Sequence, residues 1–305
     1  MTVKQQIDQA VEQICSIVID KEQEVRLAVC CALAGGHLLL EDLPGTGKTT
    51  FASAIAKTFD LTNSRVQFTN DLLPSDITGV SVFQPHNGEF AFKPGPVFTQ
   101  LFLADEINRA SPKSQSALLE AMEEHQVSIE GETRNLPQPF LVVATQNPFE
   151  QTGVYPLPEA QLDRFLMRLS LGYAAKEAEL KILAGEDVRS ALQALSPLMT
   201  SDDLISAQTA VRSVTASDDL LDYIYELVNG TRTHSGFSTG LSTRAAQGVL
   251  SAAKAWAIMQ GRDYAVPADV QTVFSPVAVH RLSSNRSDTN VVSENIQQIL
   301  DAVAV

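Results

Sequence analysis

Apolar and polar positions follow two different periods along this chain, and the change of period divides it. From Val3 to Val18, and again from Glu22 to Ala34, apolar residues recur every three to four positions, as on amphipathic helices, and Gly35-Gly36 ends the second. Short unbroken apolar runs follow at His37–Leu40, Leu101–Ala104 and Leu141–Ala144, the pattern of strands buried on both faces of a parallel sheet. Arg65–Thr69 and Phe165–Leu171 add two further strands. Helical periodicity returns after Lys48 (Phe51, Ala52, Ile55, Ala56, Phe59) and after Ser111-Pro112, a cap followed by proline at the first helical position. Two stretches break the alternation of strand and helix. Residues 80–92, with a turn at Pro85-His86-Asn87-Gly88, and residues 127–136, turning at Gly131, predict inserted hairpins. From about Lys176 only helical patterns remain: Asp202–Val211, Asp218–Thr233, Thr243–Gln260, Pro267–Phe274 and Val292–Val303. The expected organisation is an α/β domain over 1–173 and an all-helical lid over 174–305. Thr231–Leu241 is the most flexible stretch by composition.

The first apolar strand leads directly into chemistry. Leu38-Leu39-Leu40-Glu41-Asp42-Leu43 runs into Pro44-Gly45-Thr46-Gly47-Lys48-Thr49-Thr50, and Lys48 opens a helix. That is the strand–loop–helix setting of a P-loop. Backbone N–H groups around Gly45 and Gly47 are expected to face an anion, helped by the positive end of the helix. Glycine lets the backbone approach and take positive φ. Lys48 is expected to reach the β- and γ-phosphates, and the Thr49 hydroxyl to join a magnesium shell. Asp42 stands where the strict G-x-x-x-x-G-K-(S/T) pattern has its first glycine.

The Leu101–Ala104 run ends in Asp105-Glu106. Strand C-termini face the ligand crevice of an open α/β sheet. Asp105 is therefore expected to hold magnesium, and Glu106 to polarise an attacking water. Thr145-Gln146-Asn147 follows the strand expected beside it, and two readings fit Asn147: a polar contact between γ-phosphate and water, or an Asn-Pro turn. Arg164 also admits two roles, an ion pair with Asp163 or a contact with a neighbouring subunit's phosphate. Arg244, in the first turn of the long lid helix, opposes the helix dipole. It is either a tolerated surface residue or a phosphate contact.

Composition narrows the classes. The chain has 305 residues, 44% of them hydrophobic, and a net charge of −14 with no two Lys or Arg adjacent. Such a surface disfavours polynucleotides and acidic membranes. No signal core or membrane-length apolar run stands out, so a soluble cytoplasmic chain is expected, with Cys30 and Cys31 filling core space. The five histidines are scattered and suggest no metal site.

These motifs together resemble the MoxR branch of the AAA+ ATPases. The resemblance is carried by Glu41–Thr49, Leu72-Leu73-Pro74-Ser75-Asp76-Ile77-Thr78-Gly79, Ala104-Asp105-Glu106-Ile107-Asn108-Arg109-Ala110, Ala144–Pro148 and Tyr155–Phe165. It runs from about Ile17 to the C-terminus. It implies a ring, commonly hexameric, with ATP and Mg2+ at subunit interfaces, Asn147 as sensor 1, Arg164 as arginine finger and Arg244 as sensor 2. The hairpins resemble the helix-2 and pre-sensor-1 insertions of this clade. Members act as chaperone-like remodelers of protein complexes, including cofactor or metal insertion, often with a partner bearing a von Willebrand factor A domain. A chelatase-type or nucleic-acid-linked motor is the alternative on the same ring, and a silent nucleotide switch is disfavoured by the intact site. Val18-Ile19-Asp20-Lys21 lacks the glycine that the family usually has beside adenine, so no base contact is assigned.

Overall fold

The computed structural model describes residues 2–86, 88–148, 153–174, 176–183, 188–284 and 289–304. Helix α1 (Val3–Ile17) starts at a capping box: the Gln5 N–H donates to Thr2 Oγ1, and the Thr2 N–H donates to Gln5 Oε1 at 2.9 Å. Together with α2 (Glu22–Leu33) it precedes β1 (Leu38–Glu41), α3 (Lys48–Thr58) and β2 (Asn63–Gln67). A short α4 (Pro74–Thr78) leads into the first hairpin, β3 (Gly79–Gln84) with β4 (Glu89–Pro94). Next come β5 (Leu101–Asp105), a 3-10 turn at Ile107–Arg109 and α5 (Pro112–Glu124). The second hairpin, β6 (Gln126–Ile129) with β7 (Glu132–Asn135), precedes β8 (Leu141–Gln146), α6 (Glu159–Leu162) and β9 (Met167–Leu169). Both predicted hairpins form, each as its own antiparallel pair.

The main sheet has the order β2-β5-β8-β1-β9, with every pairing parallel. Its inner strands β5, β8 and β1 are buried on both faces, as their unbroken apolar runs require, whereas the edge strand β2 alternates exposed and half-buried residues. Leu101 and Leu103 face one core cluster while Phe102 and Ala104 face the other, and Leu141/Val143 and Val142/Ala144 divide in the same way. The first cluster runs through α1, α2, α3 and the helices that follow the sheet; the second lies under α5 and the hairpin bases. Strand β1, first in sequence, sits between β8 and β9, while the chain leaves it for β2 at the far edge. The strand order reverses there, and a crevice opens beyond the strand C-termini at such a point.

After β9 come α7 (Lys176–Leu183), α8 (Val188–Ala194), α9 (Ser201–Ser213), α10 (Asp218–Thr233), β10 (Phe237–Thr239), α11 (Thr243–Met259), α12 (Pro267–Ala278), β11 (Ser283–Ser284) and α13 (Thr289–Ala302). The lid is helical, as expected, with one small addition: β10 and β11 pair as a short antiparallel ribbon. Strands of two and three residues are too short to print an alternating pattern. The stretch Thr231–Leu241 is tied down as well. Leu241 N–H donates to Thr231 Oγ1 at 3.0 Å, Arg232 Nε donates to the Leu241 carbonyl at 2.9 Å, and Phe237 is buried. The last predicted strand, Phe165–Leu171, shortens to Met167–Leu169. Phe165 and Leu166 belong to the turn before it, where Leu166 N–H donates to the His37 carbonyl at 2.8 Å.

Candidate functional site

Beyond the C-termini of β1, β2, β5 and β8 lies a cleft of about 380 Å³. It is lined by Pro44, Gly45, Gly47, Lys48, Thr49 and Thr50 from the loop, Asp105 and Glu106 from β5, Thr145, Gln146 and Asn147 from β8, and Arg65 and Gln67 from β2. Gly45 and Gly47 have φ of 86° and 84°, the left-handed region open to glycine, and Gly47 stands at the N-cap of α3. The loop is therefore wound so that α3 begins at the cleft with Lys48. The Lys48 ammonium donates to the carbonyls of Asp42 and Leu43, each at 2.8 Å, which folds it along the loop. Burial lowers its pKa, opposed by the charges of Asp42, Asp105 and Glu106.

Asp42 has a role that its sequence position did not suggest. Its buried carboxylate accepts from Ser170 Oγ at 2.7 Å, Leu171 N–H at 2.6 Å and Gly172 N–H at 2.9 Å. It fastens the end of β9 to the phosphate-binding loop, where a glycine could make none of these bonds.

The two acids are held from two neighbouring strands and from the 3-10 turn that follows them. Thr145, fully buried, donates to Asp105 Oδ1 at 2.6 Å and accepts from Glu106 N–H at 2.9 Å. Arg65 donates to Asp105 Oδ2 through Nε (3.1 Å) and Nη2 (2.7 Å). Gln67 and Arg109 donate to Glu106 Oε2 at 2.6 and 2.8 Å. Glu106 itself sits at φ 56°, ψ 51°, a left-handed conformation costly for a residue with a side chain. Strain of that kind, over-determined by Thr145, Gln67 and Arg109, fixes where its carboxylate stands. Arg65 and Gln67 were missed in the sequence. Their one signal is alternation at the end of a strand, and only the pairing of β2 with β5 brings them to the acids.

Arg164 and Arg244 do not line this cleft. Both meet one carboxylate, Glu123 near the end of α5: Arg164 Nη2 at 2.9 Å and Arg244 Nη1 at 3.0 Å. Arg164 precedes β9, so it stands at the N-terminal end of a parallel sheet whose C-terminal ends form the cleft. Strands of this length separate the two ends by more than about 10 Å. The pairing of Arg164 with Asp163 is not found; Asp163 is instead bound by Arg281, with Nε to Oδ1 at 2.6 Å.

Thr46 faces a second, smaller cavity with Gly45, Gly47, Tyr173, Ala174, Glu179 and Leu183. Lys21 donates to the Tyr173 carbonyl at 2.9 Å and so brings the α1–α2 connection to its edge. There Asp20 has φ 62°, the conformation for which a glycine would be suited. Among the described residues no group of three His, Cys, Asp or Glu is arranged to hold a metal, and no helix is long and apolar enough to cross a membrane. His37 is a buried pin: its Nδ1 accepts from Val142 N–H at 3.0 Å, its Nε2 meets the Met122 carbonyl at 3.2 Å, and burial lowers its pKa to about 4.

A parallel sheet with this switch point, a glycine-wound loop at a helix start and a carboxylate pair at the end of β5 define a P-loop ATPase of the AAA+ class. Comparison with known proteins gives the same class. A family described as "ATPase family associated with various cellular activities (AAA)" matches residues 37–167, and an AAA lid domain matches 229–303. The chain is 45% identical to the uncharacterized protein YeaC of Bacillus subtilis, covering 90% of this chain and 86% of that one. It is 41% identical to chaperone MoxR1 of Mycobacterium tuberculosis (90% and 75% covered) and 31% identical to protein MoxR of Paracoccus denitrificans (87% and 85%). A crystal structure of a candidate ATPase from Cytophaga hutchinsonii superposes with a TM-score of 0.89 at 38% identity, over 99% of this chain and 95% of that one. The chain belongs to the MoxR family of AAA+ ATPases, and its reaction is the hydrolysis of ATP.

Proposed function

We propose that the chain works as a ring of like subunits, commonly six in its family, in which each ATP is completed by residues of two neighbours. The loop Pro44–Thr50 receives the phosphates, with Lys48 swinging from the Asp42 and Leu43 carbonyls to the β- and γ-phosphates. The donor set suits a magnesium ion: the Thr49 hydroxyl and the Asp105 carboxylate are hard oxygen ligands at the mouth of the cleft. Bound there, the metal would neutralise charge building on the phosphates. Glu106 takes a proton from the attacking water, and Asn147 holds that water against the γ-phosphate. Arg164 and Arg244 act on the next subunit's nucleotide. The adenine lies in the cavity of Thr46, Tyr173 and Leu183. The observation that carries this reading is the convergence of Arg164 and Arg244 on Glu123, at the end of the sheet away from their own cleft.

The work done with that energy is remodelling of protein complexes in the cytoplasm, including maturation by cofactor or metal insertion, with a partner bearing a von Willebrand factor A domain. The name chaperone MoxR1 of one relative supports the first part.

Mixing two inactive variants tests the shared site. Arg164→Ala is expected to bind ATP almost normally and to hydrolyse it up to ~10³-fold more slowly, the scale of arginine fingers. Lys48→Ala subunits bind no nucleotide but still carry Arg164. Mixed rings contain intact clefts beside intact arginines, so activity should reappear. Mixed rings verified by native mass that remain as slow as either parent would remove the shared site.

A further inference from the structure

The backbone of Asp163-Arg164-Phe165-Leu166 and the Asp163 and Leu166 side chains are held by the helices after the sheet, while the Arg164 side chain pairs with Glu123 instead. Arg281, just beyond α12, uses all five of its N–H donors here. Nε donates to Asp163 Oδ1 at 2.6 Å, Nη2 to the carbonyls of Asp163 (3.1 Å) and Phe165 (2.7 Å), and Nη1 to the carbonyls of Leu166 (3.0 Å) and Val277. His280 Nε2 meets the same Phe165 carbonyl at 2.9 Å. Ser242, the N-cap of α11, reaches Asp163 Oδ2 at 3.4 Å. The Leu166 side chain lies between two glycines. A Cβ on Gly36 would come within 2.3 Å of it, and one on Gly248 of α11 within 3.2 Å. The helices after the sheet thus grip the segment from one side, while Arg164 projects to Glu123.

The Arg281 side chain is 6% exposed. Withdrawing a guanidinium from water is costly, and apolar contacts alone would join the helices to the turn at lower cost. Four of the five donors end on the carbonyls of Asp163, Phe165 and Leu166 and on one carboxylate. That arrangement fixes the direction of a backbone, which a greasy contact does not.

We propose that Arg281 is a positioning residue: by clamping residues 163–166 to the lid it sets where Arg164 stands in the neighbouring subunit's site. The inference rests on the reading that Arg164 acts across the interface. A lid movement in one subunit would then be felt as a change of hydrolysis rate in the next, with no change in nucleotide affinity of its own cleft.

Full-length rings carrying Arg281→Met, Arg281→Lys, Arg164→Ala and the double variant Arg164→Ala/Arg281→Met test this. Arg281→Met is expected to bind a fluorescent ATP analogue within about threefold of wild type, yet to turn over roughly 10²-fold more slowly, the effect of misplacing a catalytic group by about 1 Å. Arg281→Lys should recover part of the rate. The double variant should be no slower than Arg164→Ala, because Arg281 acts only through Arg164. Adding Lys48→Ala subunits, which supply a well-held Arg164, should restore hydrolysis to Arg281→Met. Wild-type turnover in Arg281→Met, a parallel loss of ATP affinity, or multiplied losses in the double variant would overturn the proposal. Failure of the underlying reading looks different: Lys48→Ala would then not rescue Arg164→Ala either. If Arg281→Met does not fold, Asp163→Asn, which keeps the backbone acceptors and removes the charge partner, goes through the same comparisons with the same outcomes expected.

Discussion

At the scale of the residue, the cleft works by restraint. Thr145 and Gln67 leave the Asp105 and Glu106 carboxylates little freedom before nucleotide arrives, so less ordering remains to be done at the moment of reaction. Lys48→Ala should abolish nucleotide binding, while Glu106→Gln should keep ATP bound and lose roughly two to four orders of magnitude in turnover, the scale for a missing general base. Equilibrium binding and steady-state hydrolysis check both, and near-normal turnover in Glu106→Gln would take it out of the mechanism. His37 gives a prediction in pH. Its folded pKa, about 4, lies below the ordinary value of 6.5 because burial disfavours the imidazolium. The neutral ring therefore stabilises the fold above pH ~6.5. Between 6.5 and 4 the unfolded chain binds the extra proton, and stability drops by up to about 1.4 kcal/mol per pH unit for this one group. Denaturation of wild type and His37→Asn from pH 7.5 to 5 should give a steeper loss for wild type. Parallel curves would rule the titration out.

Elements are joined in this fold by polar side chains at strand ends. Asp42 closes β1 onto the turn after β9, and the Glu41–Arg168 pair, at 2.7 Å and largely buried, does the same one residue earlier. Asp42→Gly would restore the strict loop pattern, yet it strands two backbone N–H groups and a hydroxyl. It should cost about 2–4 kcal/mol of stability, given 1–3 kcal/mol for each buried donor left unpaired and partial access of water. Urea unfolding measures it; an unchanged midpoint would show that the carboxylate is dispensable. The hairpins contrast with these junctions. Val82, Phe83 and Phe90 of β3–β4 are exposed, whereas its base is drawn in by Phe92, which packs on Phe98 and lies under Arg134 of the second hairpin.

For the whole molecule, charge is the most general statement. A net charge of −14 is set against a reaction whose substrate is itself a polyanion, and Lys48 and Arg65 bring positive charge into the cleft. Polynucleotides, which need extended basic tracks, should neither bind usefully at physiological salt nor raise the ATPase rate. Titration with single- and double-stranded DNA checks this, and micromolar binding with stimulated hydrolysis would bring the motor reading forward.

The sequence by itself determined the parts whose signals are local. The phosphate loop, the buried strands, both hairpins and the bounds of α10, Asp218–Thr233, follow from periodicity, caps and glycine positions within a few residues of one another. The strand at 141–144 also pairs with the one ending in Asp105-Glu106, as expected. Only the tertiary structure decided which polar groups meet. Arg65 and Gln67 reach the acids because β2 pairs with β5, and Asp42 holds β9 because β1 lies beside it. Arg281 reaches Asp163 because the lid packs back onto the turn before β9. Local spacing specifies the hydrogen-bonding capacity of each of these side chains. Which partner satisfies it depends on the order of strands and the packing of helices far apart in the chain.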